Sequence, residues 1–93
     1  MTDQMEALVR EAAAALKAAG AREVYVFGSA ARDAMDDESD IDLAVTGLPP
    51  GLFYRAMGQA RRILKRPVDL VDLDECNAFA EYLKASAGLK RVG

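Results

Sequence analysis

The sequence predicts an α/β fold, one small sheet covered by helices, on three observations. Short runs rich in β-branched and aromatic residues alternate with longer stretches whose apolar positions repeat at helical spacing. Glycine or proline punctuates most of the junctions between them. Ninety-three residues suffice for a single core, so 1–93 reads as one domain. The predicted order is α-β-α-β-α-β-α.

The first helix begins at a Thr2 or Asp3 cap. Met5, Leu8, Val9, Ala12 and Leu16 keep helical spacing, Asp3 and Glu6 form a capping-box-like pair, and Gly20 supplies the stop. "EVYVF", Glu23 to Phe27, is a strand that ends abruptly at Gly28. Ser29 to about Met35 favours a short helix, and the acidic turn "DDES" follows. "DIDLAV" is the second strand. "TGLPPG" breaks the chain before a helix from about Leu52 to Lys65, where Phe53, Ala56, Met57, Ala60, Ile63 and Leu64 line one face. "PVDLV", Pro67 to Val71, is the third strand. Asp74 then caps a last helix holding Phe79, Ala80, Leu83 and Ala87, with Gly88 past its end.

Composition excludes several chemistries. There is no histidine, which removes histidine-based acid–base catalysis and the usual zinc sites. The single cysteine, Cys76, cannot form an internal disulfide, so nothing points to an oxidising compartment. A formal charge of −3 argues against broad phosphate-backbone binding, so no direct nucleic-acid binding is expected. The N-terminus is too acidic and interrupted for a signal peptide, and no run spans a bilayer. The expectation is a cytoplasmic protein with no membrane partner.

Three constellations carry chemistry. Phe27-Gly28-Ser29 turns a strand into a helix N-terminus, whose unpaired N–H groups and serine hydroxyl suit an anion. The same pair also serves as a plain helix cap, and no Gly-Lys-Ser/Thr follows to make a Walker A loop. Asp40-Ile41-Asp42 puts two carboxylates on one strand face, about 7 Å apart along the strand. They repel one another and lose hydration there, and a divalent cation such as Mg²⁺ relieves both costs. A solvated strand face is the alternative. In "VDLVD", Asp69 lies mid-run between apolar neighbours, and its alternative role is an edge-strand charge against aggregation. Asp72 falls on the opposite face. A phosphate-seeking turn, paired acids and a third carboxylate are together what nucleotidyl transfer needs.

Gly28-Ser29, ten intervening residues and Asp40-Ile41-Asp42 resemble the signature of the DNA polymerase β nucleotidyltransferase superfamily. The short length, "SDIDLAV" and "PVDLVDL" resemble its minimal nucleotidyltransferase (MNT) branch. The resemblance implies a small mixed sheet in the polymerase-β-like fold, with 1–93 as a minimal nucleotidyltransferase domain. It implies that Gly28, Ser29 and Arg32 hold the nucleotide. Asp40, Asp42 and Asp69 are then the catalytic acids, with Asp40 and Asp42 on Mg²⁺ and Asp69 completing the set. Ala30 and Asp33 depart from the family's usual basic residue and glycine, which thins the positive charge near the phosphates.

Members of this branch are usually paired with a HEPN-domain protein. The resemblance therefore implies an antitoxin that transfers AMP from ATP to a tyrosine of a HEPN-type ribonuclease toxin. An inactive binding antitoxin and an enzyme for a small-molecule or nucleic-acid acceptor stay open, as does a homo-oligomer. Arg55, Arg61, Arg62, Lys65 and Arg66, clustered late in the third helix and just after it, offer a surface for the acceptor, or simply a solvated, dipole-favoured face.

Overall fold

The computed structural model describes residues 3–28, 40–75, 77–85 and 88–93. The helix expected over 29–35 and the acidic turn after it lie outside them. The first helix, α1, spans Asp3–Ala18 and buries Val9, Ala12, Ala13 and Leu16, the one stripe that helical spacing brings together. It closes at Gly20, which adopts φ +126°; a β-carbon there would come within 2.9 Å of Pro49 Cδ. Glycine therefore stops the helix and lets the next loop pack against its end.

Strand β1 (Glu23–Phe27) lies in the middle of the sheet beside β2 (Ile41–Thr46), paired antiparallel. β3 (Val68–Asp72) runs parallel to β2, a pairing that requires a crossover. A 3₁₀ turn over Pro50–Leu52 and helix α2 (Phe53–Leu64) provide it. α2 buries Ala56, Ala60 and Leu64 and ends in left-handed Lys65, whose N–H donates to the Arg61 carbonyl at 2.8 Å. A short strand absent from the sequence-based order, β4 (Lys90–Arg91), pairs antiparallel with the other side of β1. The sheet order is β3-β2-β1-β4, so the sheet is mixed, as expected.

Alternation gives the sheet two unlike faces. Val24, Val26, Ile41, Leu43, Val45 and Val68 point at α1 and α2 and form the main core with Val9, Leu16 and Leu64. Each such side chain contributes roughly 1.5–3 kcal/mol by leaving water. The opposite face carries a smaller cluster in which Ala44, Leu73 and Leu83 pack with Tyr25, Phe27, Val71 and Leu89. Helix α3 (Ala78–Ala85) supplies Leu83 to that cluster.

One expectation about α3 is corrected. Asn77, not Asp74, caps it: the Ala80 N–H donates to Asn77 Oδ1 at 2.8 Å. Asp74 lies in the turn that follows β3 and instead accepts from the Gly47 N–H at 2.5 Å, tying the β3 exit to the end of β2.

Candidate active site

The smaller face is where the acids meet. Strand pairing sets Phe27 opposite Asp42 and Asp42 opposite Asp69, so the three side chains form one row across β1, β2 and β3. Neighbouring strands lie about 5 Å apart, which puts the two carboxylates side by side. Asp42 is half-buried and Asp69 exposed. Burial raises the Asp42 pKa above its ordinary value; the negative charge of Asp69, a hydrogen bond with Asp69 and the charge of Asp40 follow in that order. Asp42 is thus held toward its protonated form unless a positive group comes to the pair.

Gly28 presses on that carboxylate from β1. Its φ of +66° belongs to the left-handed region, and a β-carbon there would collide with Asp42 Oδ2. Only glycine lets the chain turn while the carboxylate lies against its backbone. Asp40 sits one residue before β2 and is exposed. The structure therefore brings Gly28, Asp42 and Asp69 together and leaves Asp40 at the strand entrance. Ser29 and Arg32 lie outside the described residues.

A cavity of about 530 Å³ opens over the row, lined by Asp42, Asp69, Phe27, Tyr54, Met57, Arg61 and Phe79 among others. Tyr54, Met57 and Arg61 sit at i, i+3 and i+7 of α2, one helical stripe turned toward the acids. Arg61 Nη2 donates to the Val68 carbonyl at 3.4 Å, immediately before Asp69. Arg55 and Arg62 line a separate groove against α1. The basic cluster seen in the sequence is therefore split between two faces. Sequence reasoning places Met57 on an apolar helix face and Phe79 in the last helix, names Phe27 only as the residue before the Gly28 turn, and does not single out Tyr54. Tyr54 lies outside the buried Ala56-Ala60-Leu64 stripe of α2, and a large aromatic ring off that stripe is the signal that marks it.

Two adjacent carboxylates are hard oxygen donors that suit a divalent cation of the Mg²⁺ type. The rise in the Asp42 pKa is the cost that such a cation would remove. Among the described residues, no three His, Cys, Asp or Glu side chains stand together.

The sequence matches the family described as "Polymerase beta, Nucleotidyltransferase" over residues 13–87. No curated protein matches it by sequence. Among solved structures, a toxin–antitoxin crystal structure with AMP-PNP is similar at TM-score 0.72 and 22% identity, over 95% of this chain and 72% of that one. A mutant of the MntA-HpeT toxin–antitoxin, carrying two Asp-to-Glu changes two residues apart, is similar at TM-score 0.69 and 20% identity. That match covers 95% of this chain and 71% of the other. At such identities the likeness is one of fold, and it agrees with the mixed sheet and the three helices. The family match runs from the middle of α1 past the end of α3, and on that extent the chain belongs to the polymerase β nucleotidyltransferase family.

Proposed function

We propose that this protein transfers AMP from ATP, with Mg²⁺, to a tyrosine hydroxyl of a HEPN-type ribonuclease toxin and so acts as its antitoxin. The observation that carries the proposal is the Asp42–Asp69 pair, in register beside the Gly28 turn. The similar structures support the setting: one is a toxin–antitoxin with an ATP analogue, and the other was altered at two aspartates with the spacing of Asp40 and Asp42.

Asp40, Asp42 and Asp69 would hold the cation, Asp42 and Asp69 from the row in register and Asp40 from the entrance to β2. When bound, the cation supplies charge neutralisation for the triphosphate and acidifies the attacking hydroxyl. The Gly28 turn leaves its backbone close to the phosphates, where Ser29 and Arg32 keep the binding roles that the family pattern assigns them. Asp69, exposed and on the strand farthest from that turn, takes the acceptor's proton. The acceptor oxygen forms a bond to the α-phosphorus, the α–β phosphoanhydride breaks, and pyrophosphate leaves with the electron pair.

The test is incubation of this chain with labelled ATP, Mg²⁺ and a purified HEPN-type protein encoded beside it. Mass spectrometry of both chains is expected to find one or more adenylyl groups on a partner tyrosine. Tight complex formation without any adenylyl group would instead support an inactive binding antitoxin. Free AMP or labelled small molecules would support a different acceptor.

A further inference from the structure

The cavity over Asp42 and Asp69 continues along β3 into a second one of about 570 Å³. The two share Phe53, Tyr54, Leu70, Val71 and Phe79, so they form one cleft between α2 and α3. Its far end carries Asp72 and Glu75. Sheet order gives the cleft a direction: the Gly28 turn on β1, Asp42 on β2, Asp69 on β3, then the cleft beyond. In-line displacement brings the attacking oxygen in opposite the leaving group. With the phosphates by Gly28, as in the proposed function on which this step rests, that oxygen arrives from the β3 side.

We infer that the α2–α3 cleft seats the acceptor segment of a partner polypeptide, one that carries an apolar residue and a basic residue close to its acceptor hydroxyl. Three large hydrophobic side chains are exposed among the described residues, and two of them, Tyr54 (78% exposed) and Phe79 (50%), line this cleft. Each is braced by a second ring: Phe53 and Tyr54 meet edge to face at 5.5 Å, Phe27 and Phe79 at 6.2 Å. Exposed but pre-positioned aromatic rings anchor a partner at low entropic cost.

Charge selects the partner's sign. Asp42, Asp69, Asp72 and Glu75 line the cleft, and Arg61 is its one cation among the described residues. Asp72 Oδ1 accepts from the Asp74 N–H at 2.9 Å and Glu75 Oε2 from the Asn77 amide at 3.0 Å, which orients both carboxylates. Such a cleft repels a phosphate backbone and attracts a lysine or arginine side chain. A polypeptide meets both demands, apolar and cationic.

The probes are capped Lys-Leu-Tyr-Leu-Lys, its counterpart Glu-Leu-Tyr-Leu-Glu, and N-acetyl-tyrosinamide, titrated into the ¹⁵N-labelled full chain and followed by NMR. The basic peptide is expected to bind at least fivefold more tightly than either other probe. It is expected to shift the Tyr54, Leu70, Val71 and Phe79 resonances with and without saturating Mg²⁺–ATP. Tyr54→Ala, at a site exposed enough to spare the fold, is expected to weaken it at least fivefold. Asp72→Asn with Glu75→Gln is expected to erase the preference for the basic peptide. The inference is overturned by absent binding, equal binding of all three probes, shifts on another face, an unaffected Tyr54→Ala, or displacement of the peptide by Mg²⁺–ATP. ATP affinity, read in the same samples, tests the nucleotidyl-transfer proposal separately: a chain that binds the peptide but no ATP refutes that proposal alone.

Discussion

Replacing Gly28 by alanine tests the contact on which the site's geometry depends. Two costs add in Gly28→Ala. Left-handed φ costs an L-residue about 1–2 kcal/mol. The new methyl would also occupy the space of Asp42 Oδ2, and moving a packed side chain off its rotamer costs about another 0.5–1.5 kcal/mol. In an Asp42→Ala background the second cost vanishes, because the Asp42 Cβ lies 3.8 Å from the added carbon, an ordinary contact. The single change is therefore expected to destabilise by roughly 1.5–3.5 kcal/mol, and the same change on Asp42→Ala by about 1–2. The coupling is then on the order of 1 kcal/mol, above the ~0.5 kcal/mol within which independent sites add. Urea unfolding of all four proteins at pH 7, followed by far-ultraviolet circular dichroism with comparison of m-values, measures it. Additive energies would refute the reasoning, since they would mean that Gly28 serves the turn alone and does not press on Asp42.

Other outcomes follow from the same row of acids. Asp69→Asn is expected to slow adenylyl transfer about 10²- to 10⁴-fold, with Asp72→Asn nearly silent at the transferring step; reversed sensitivities in a single-turnover assay would reassign the base. The raised Asp42 pKa means that the protonated form stabilises the fold without cation. That contribution is fully present below the unfolded value of 3.8 and is lost as pH rises through the higher folded value. Urea midpoints of Asp42→Asn should therefore change less with pH over this window than those of the unaltered chain. Asn77→Ala is expected to cost about 1 kcal/mol and to loosen α3 amides in hydrogen exchange, whereas Asp74→Ala should leave α3 protected and loosen the Gly47 amide.

The sequence by itself determined the elements with strong local signals. The apolar stripe of α1 and the acid-containing runs of β2 and β3 follow from periodicity, and Gly20 and Gly28 mark turns that only glycine enters readily. It also determined the family, because Gly28-Ser29 and Asp40-x-Asp42 are a local pattern with a fixed spacing. β4 was beyond its reach: two charged residues carry no strand signal, and they are extended because the open side of β1 pairs with them. Choosing Asn77 over Asp74 as the α3 cap depended on where β3 ends and what its exit touches. The division of the basic cluster depended on which side of α2 packs onto the sheet. Above all, Asp42 has Asp69, nearly thirty residues away, as its strand partner, and the charge of Asp69 acts on it more strongly than that of Asp40. Spacing along one strand is written in the chain, but register between strands is a long-range choice made when whole faces are buried together.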